Sequence, residues 1–327
     1  MRRFCLFLLR WLSLIYGVLT VSGTTAQAQT FPDKSIRMII AYAPGGATDI
    51  VGRLLAQELS QILGQSVIVE NRAGGGTLVA TETVKRATAD GYTLLFGTNA
   101  FVITPLLHEN PTYDPIKDFE PVALTTIQSL AFLLSPSVKF QSVQELIAFA
   151  SKNPGKINFA SSGNGSAQHL AGEAFRTAAD IDIVHVPYKG SGPAQIDLLA
   201  GRVDMMFTSL VGNMDHIQHN RLKLIAVTGR HRSVAVPTIP TIAESGLPDF
   251  EAYTWQGILA PAGTPAAVIT TLNRAVLEAA HSRKIIDTLA AQGMEVKTSS
   301  PQEMGVLLKQ ESTLYKKLLQ HTQTTIQ

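Results

Sequence analysis

The sequence predicts an α/β protein of two lobes, each a mostly parallel sheet flanked by helices, with a cleft between them. Short apolar runs alternate with helix-period segments along the chain, as in parallel sheets covered on both faces. The order strand, glycine loop, helix occurs near the start and returns after position 157. The 327 residues also exceed the roughly 100 to 200 of a single domain.

The first unit runs from Ile36 to Gly64. Ile36, Met38, Ile39, Ile40 and Ala41 form an apolar run, and Pro44, Gly45 and Gly46 a turn. Ile50, Val51, Leu54, Leu55, Leu59, Ile62 and Leu63 then fall on one helical stripe that stops at Gly64. The helix opens at Ala47 or Thr48, where several N–H groups lack partners within it, and the glycines let a ligand come close. Such a helix start attracts carboxylates and phosphates. An ordinary strand-to-helix turn is the competing role for the glycine pair. Neither G-x-G-x-x-G nor the lysine of G-x-x-x-x-G-K-[ST] is present, so dinucleotide and P-loop chemistry are not supported.

Val67 to Val69 reads as the next strand, followed by Gly74, Gly75 and Gly76, a helical segment through Arg86, and a strand over Thr93 to Phe96. An irregular stretch with Pro105, Pro111 and Pro115 leads to Phe119, Pro121 and Val122. A second series opens with Leu130 to Leu134. Ser142 and Glu145 form a capping box for a helix ended by Asn153, Pro154 and Gly155. Ile157 to Ala160, the loop Ser161 to Ser166 and a helix with His169, Leu170 and Phe175 repeat the opening unit. Ile183 to Val186 precedes a helix with Pro193 at its first position, and Val203 to Phe207 and Leu222 to Val227 complete the series. Past a proline-rich connector, Trp255 to Leu259 is a strand and Pro265 to His281 a helix. Ser300, Pro301 and Glu303 start the last helix. One lobe is therefore placed at 29–125 plus 253–327 and the other at 126–252, with two crossings that imply a hinge.

Residues 1–28 read as an export signal. Arg2 and Arg3 stand in front, the stretch from Trp11 to Val21 is apolar, and Ala26 and Ala28 frame a cleavage point. A membrane anchor is the rival, but Arg10 interrupts the run and the apolar part is short for a span. Cys5, the one cysteine, leaves with the signal, which removes cysteine catalysis, cysteine metal sites and disulfides. The remaining roughly 300 residues are long enough to be stabilised by their core. The formal charge of +2 moves close to neutral once the signal's arginines are gone, so nothing points to a nucleic-acid partner.

Several segments carry a specific resemblance. They are Ala43-Pro44-Gly45-Gly46-Ala47-Thr48-Asp49, Val69-Glu70-Asn71-Arg72, Tyr113 to Phe119, Ser161 to Ser166 with Gln168-His169-Leu170, His185 to Gly190, Asp204 to Phe207, Pro240 to Pro248, and Ala260 to Pro265. Together they resemble the substrate-binding proteins of tripartite tricarboxylate transporters, the Bug-type family of periplasmic receptors. The resemblance covers nearly all of the mature chain in order. It implies a type II periplasmic-binding-protein (Venus flytrap) fold, a periplasmic location, no cofactor, no metal and no catalytic residue. It further implies a small carboxylate ligand (di- or tricarboxylate, acidic amino acid or aromatic acid), permease subunits as partners and a monomer. Delivery to a sensor is the alternative use.

Candidate binding residues follow from the facing loops. Pro44, Gly45, Gly46, Ala47, Thr48 and Asp49, with Tyr42 before them, face Ser161, Ser162, Gly163 and Ser166 from the other lobe. Hydrogen bonds to a charged acceptor are worth about 1.5 to 3 kcal/mol each, so a few suffice for micromolar binding, roughly 8 kcal/mol. Thr48 has helix capping as its commoner role, Asp49 complements the helix dipole and is expected to turn aside or to order a water or an ammonium group, and the serines have turn formation as theirs. His169 is more often structural than catalytic. Thr98, Asn99 and Thr208 end strands at the cleft edge. Only the resemblance raises Tyr188 and Lys189 from solvent-facing loop residues to cleft candidates.

An enzyme is the rival class. No G-x-S-x-G elbow and no H-E-x-x-H motif occur, and Ser162 with His169 lacks an identifiable orienting acid. The chain departs from the family pattern at Tyr42-Ala43, where Phe-Pro is frequent. It departs again at Ala73 to Ala80, which lacks an asparagine of the usual glycine loop, so a larger or less polar ligand is the expectation there.

Overall fold

The computed structural model describes residues 31–322, and the export-signal reading of residues 1–28 lies outside them. β1 (Ile36–Ile40) leads into α1 (Ala47–Leu63), β2 (Val67–Asn71), α2 (Leu78–Lys85), β3 (Thr93–Thr98) and the single turn α3 (Ala100–Ile103). β4 (Phe119–Ser129) runs almost directly into β5 (Ala131–Leu134). Then come α4 (Val143–Lys152), β6 (Ile157–Ser161), α5 (Ala167–Ala178), β7 (Ile183–Pro187), α6 (Ser191–Leu199), β8 (Met205–Thr208), α7 (Met214–Gln218) and β9 (Lys223–Val227). The return supplies β10 (Tyr253–Pro261), α8 (Ala266–Ala280), α9 (Arg283–Ala290), β11 (Glu295–Val296) and α10 (Pro301–Thr322).

Two sheets form, ordered β11-β4-β10-β3-β1-β2 and β7-β6-β8-β5-β9. β1 pairs in parallel with β2 and β3, and β6 in parallel with β7 and β8. The sheets are nonetheless mixed. β10 lies antiparallel between β3 and β4, and β5 antiparallel between β8 and β9. Each of these strands has just crossed from the other lobe, so it enters its sheet from the opposite end. β4 continues in the first sheet to Ser129, beyond position 125 where the sequence reading placed the crossing.

The two crossings meet at Thr228. Its hydroxyl accepts from Leu130 N at 2.7 Å and donates to Ala252 O at 2.6 Å. Its backbone also bonds both residues, with N–H to Leu130 O at 2.9 Å and C=O from Ala252 N at 3.0 Å. One buried residue therefore holds the outgoing and returning strands side by side.

Each lobe has its own core. In β1 the side chains of Ile36, Met38, Ile39 and Ile40 are fully buried, as expected of a strand covered on both faces. The second lobe packs Phe132, Phe175 and Phe207 at its centre, with 4.4 Å between the Phe132 and Phe207 rings. Caps fix the helix ends. Gly64 adopts the left-handed conformation at φ 66° after α1, and Ser142, Ser166 and Ser300 each accept an N–H of the first turn. Pro193 occupies the third position of α6 rather than the first, because the helix already begins at Ser191.

Candidate functional site

The carboxyl ends of β1 and β3 face those of β6, β7 and β8, where open α/β sheets gather ligands. Three helices start in this gap: α1 after Gly46, α5 after Ser166 and α6 after Gly190. They meet around a cavity of about 20 Å³. Ala47 and Thr48 reach it from α1, Ser162, Ala167 and Gln168 from the start of α5, and Ser191 from α6. Tyr42, Thr98, Gln128, Thr254 and Gln256 line it from the first sheet, and Leu130 and Ser209 from the second lobe. The volume is little more than the roughly 10 to 15 Å³ that one water needs, so the lobes are closed upon each other.

Closure rests on direct backbone contact. Ala43 N donates to Lys189 O at 2.9 Å across the gap. A Cβ on Gly46 would lie 2.3 Å from Ser191 Oγ, and one on Gly192 would lie 2.7 Å from Pro44 O. Only glycines allow this approach. A further bridge runs from Gly212 N to Gln292 Oε1 at 3.0 Å.

No charged side chain lines the cavity. Its polar groups are hydroxyls, carboxamides and helix N–H groups. Tyr42 Oη lies 2.8 Å from Thr98 Oγ1, and burial pushes the phenol up to about 12, so it stays neutral. Ser162 Oγ donates to Gln168 Oε1 at 2.5 Å, Ser209 Oγ to Gln128 Oε1 at 2.7 Å and Thr126 Oγ1 to Gln256 Oε1 at 3.2 Å.

Of the residues singled out in the sequence, Tyr42, Ala47, Thr48, Thr98 and Ser162 line the cavity. Thr48 is not the cap of α1. That place belongs to Gly46, which has no side chain to donate or accept, and Thr48 lies within the first turn. Pro44 and Gly45 form the turn itself. Asp49 faces away from the cavity: its carboxylate accepts from Gly45 N and Arg53 Nε at 3.0 Å and from Asn71 Nδ2 at 2.9 Å. Burial pushes its pKa up, but the Arg53, Gly45 and Asn71 donors outweigh this and hold the carboxyl below its ordinary value. The side chain thus shapes the glycine turn.

On the second lobe, Ser161 Oγ lies 2.6 Å from His185 Nε2, and Ser166 caps α5. His169 Nδ1 accepts from Gly165 N at 3.2 Å and its ring stacks on His185, 4.1 Å between centroids. Burial, together with the His169 neighbour, pushes His185 down to about 3, and burial lowers His169 too. Both imidazoles are therefore neutral props of the Ser161–Ser166 loop. Gly163, Tyr188 and Lys189 line a neighbouring cleft of about 290 Å³ rather than the cavity. The Tyr188 hydroxyl is spent on Asp197 at 2.7 Å. Thr208 is buried at the end of β8, with Ser209 beyond it at the cavity. The Asn99 side chain turns behind the cavity, accepting from Thr254 Oγ1 at 2.8 Å and Trp255 N at 3.0 Å and donating toward Glu311 Oε1 at 3.4 Å.

Sequence reasoning missed Gln128, Leu130, Ala167, Gln168, Ser191, Ser209, Thr254 and Gln256. Two signals could have found half of them. Gln128, Leu130 and Thr254 border the chain crossings, and Ser191 sits between two glycines at the start of a third cleft-facing helix.

Two lobes, two crossings and a closed cavity between helix starts define a periplasmic-binding-protein type of solute receptor. The chain belongs to the tripartite tricarboxylate transporter receptor family, whose model matches residues 51–323. This is a family of receptors and not of enzymes. Among similar solved structures, the periplasmic binding protein BugD is 32% identical, with a TM-score of 0.88 over 91% of this chain and 100% of its own. Rpa4515 of R. palustris with adipate is 32% identical, TM-score 0.86, over 89% and 98%. MatC from Rhodopseudomonas palustris with bound malate is 29% identical, TM-score 0.84, over 88% and 100%.

Proposed function

We propose that this chain is a periplasmic receptor whose lobes part from this water-sized closed cavity, close again around a small carboxylate between them, and deliver it to the permease subunits of a tripartite tricarboxylate-type transporter. The carrying observation is the meeting of three helix N-termini, α1, α5 and α6, at one cavity that holds no charged side chain. Their unpaired N–H groups favour an anion. Carboxylate capture then proceeds by amides and hydroxyls, with Tyr42, Ala47, Thr48, Thr98 and Ser162 in contact, and the Pro44–Gly46 and Ser161–Ser166 loops shaping the site. The adipate of Rpa4515 and the malate of MatC support this choice of ligand class. The receptor acts as a monomer, and its hinge lies at Leu130, Thr228 and Ala252, where both crossings are tied.

Calorimetry with C4 to C6 carboxylates tests the reading. Binding near micromolar, roughly 8 kcal/mol, is expected, together with a more compact X-ray scattering profile on addition of ligand. No heat with any acid of the set, and an unchanged profile, would overturn it.

A further inference from the structure

The turn that ends α9 reaches across to the second lobe. Gly293 stops the helix in the left-handed conformation at φ 68°. Gly293 N bonds Ala290 O and Met294 N bonds Leu289 O, each at 3.0 Å, so the turn is well braced. It presents Gln292, whose carboxamide is oriented by two bonds. Nε2 donates to Thr288 O of its own helix at 3.4 Å, and Oε1 accepts from Gly212 N of the opposite lobe at 3.0 Å. Beside it, a Cβ on Gly293 would lie 2.7 Å from Leu210 Cδ1. Leu210 therefore seats against bare backbone.

The turn 209–213 that receives these contacts is also a wall of the cavity. Ser209 lines the cavity, its hydroxyl accepts from Val211 N at 2.9 Å, and its carbonyl accepts from Asn213 Nδ2 at 2.8 Å. Gly212 O accepts from Gln195 Nε2 at 2.9 Å, which ties the turn to α6, one of the helices that start at the cavity. Gly212 is thus held through Gln195 by its own lobe and through Gln292 by the other. Gln292 itself is not among the cavity-lining residues.

We infer that Gln292 is a latch: a positioning residue that acts through Gly212, holds the 209–213 turn in its closed place without touching the ligand, and so sets how fast a captured ligand leaves. The inference rests on the receptor reading above and deepens it. The bond to Gly212 forms once the lobes have met, so entry of the ligand does not depend on it. Escape requires it to break, and the effect falls on dissociation. Both partners of the bond are in reach of water, so its worth is that of an ordinary neutral hydrogen bond.

Stopped-flow binding of succinate, glutarate and adipate to the full mature protein tests the latch. Gln292→Leu should raise the dissociation rate by about threefold to tenfold and leave the association rate within about twofold of wild type. Gln292→Ala, which adds no apolar bulk, should do the same. Gln292→Glu keeps an acceptor for Gly212 N and should dissociate like wild type, a distinction that mere space-filling would not make. Hydrogen exchange supplies a readout free of ligand: the Gly212 amide should exchange faster in the Leu and Ala variants than in wild type and Gln292→Glu. Wild-type dissociation in the Leu and Ala variants, a Glu variant as fast as they are, or a loss that falls on association overturns the latch. Failure of all three acids to bind overturns the receptor reading instead, and exchange at Gly212 then decides the latch. Should Gln292→Leu melt far below wild type, the comparison of Ala with Glu decides.

Discussion

Gly192 shows how one missing methyl group governs the whole motion. It is the second residue of α6, with helical backbone, so an alanine would suit its own lobe. In the closed arrangement, however, the added Cβ would sit 2.7 Å from Pro44 O and 3.2 Å from Gly46 N. Those atoms belong to a turn that Asp49 holds rigidly, so they cannot yield as the tip of a flexible side chain would. Gly192→Ala is therefore expected to leave the melting temperature of the ligand-free protein unchanged while weakening carboxylate binding by about tenfold or more. Scattering should show no compaction at ligand concentrations that close the wild type. Wild-type affinity in this variant would mean that the closing contact at Gly192 is unnecessary. At the same scale, the sequence displayed the glycine turn and the serine loop because both carry distinctive residue types. It hid Gln128 and Gln256. A glutamine in a strand has no local signature, and its place at the cavity depends on how two strands distant in sequence come to lie together.

At the scale of elements, Thr228 ties two strands that leave and re-enter the first lobe. Thr228→Val preserves shape and removes the hydroxyl, leaving Leu130 N without its acceptor and Ala252 O without its donor. Each orphaned buried group costs about 1 to 3 kcal/mol. Thermal and urea unfolding should report a loss of a few kcal/mol, and hydrogen exchange should rise first at Leu130 and Ala252. Stability within about 0.5 kcal/mol of wild type would show the crossings to be held by other contacts. Most elements were legible, since β1 and β6 are short apolar runs, α1 carries a periodic stripe ended by Gly64, and α4 and α10 open on capping boxes. β4 was not, because Pro105, Pro111 and Pro115 made its approach look irregular, and its extent is set by pairing with β10. α9 and β11 also escaped notice: the helix has only eight residues and the strand two, and the strand exists through its pairing with Ile127 and Thr126.

For the whole molecule, the balance of buried titratable groups dictates how stability responds to pH. Glu311 on α10 is 2% exposed and accepts from Trp255 Nε1 at 2.7 Å and Tyr253 Oη at 3.1 Å. Burial raises its carboxyl from 4.5 to about 7, with the Trp255, Tyr253 and Asn99 donors opposing. The facing titratable groups, Tyr253 and Tyr315, are neutral phenols whose ionisation burial has pushed further up. Between about pH 4.5 and 7 the folded chain thus holds a proton that the unfolded chain releases, and stability from Glu311 falls as pH rises through that window. His185 acts in the opposite sense. Its folded value of about 3 lies below the ordinary 6.5, so the unfolded chain takes up the proton, and stability falls as pH drops from 6.5 toward 3. The two contributions oppose each other between 4.5 and 6.5, so Glu311 blunts the loss of stability that the buried histidines impose as pH falls there. Asp49, held below 3.8, adds to the loss only at more acid pH. Glu311→Gln removes one arm of the balance, and its melting temperature should climb from pH 4.5 to 6.5 more steeply than that of the wild type, with the slope that His185 and the likewise lowered His169 impose. A variant whose melting profile runs parallel to that of the wild type across this window would show that Glu311 titrates alike in the folded and unfolded chain. That outcome would remove the carboxyl behind Asn99 and Trp255 from any part in the protein's response to acid.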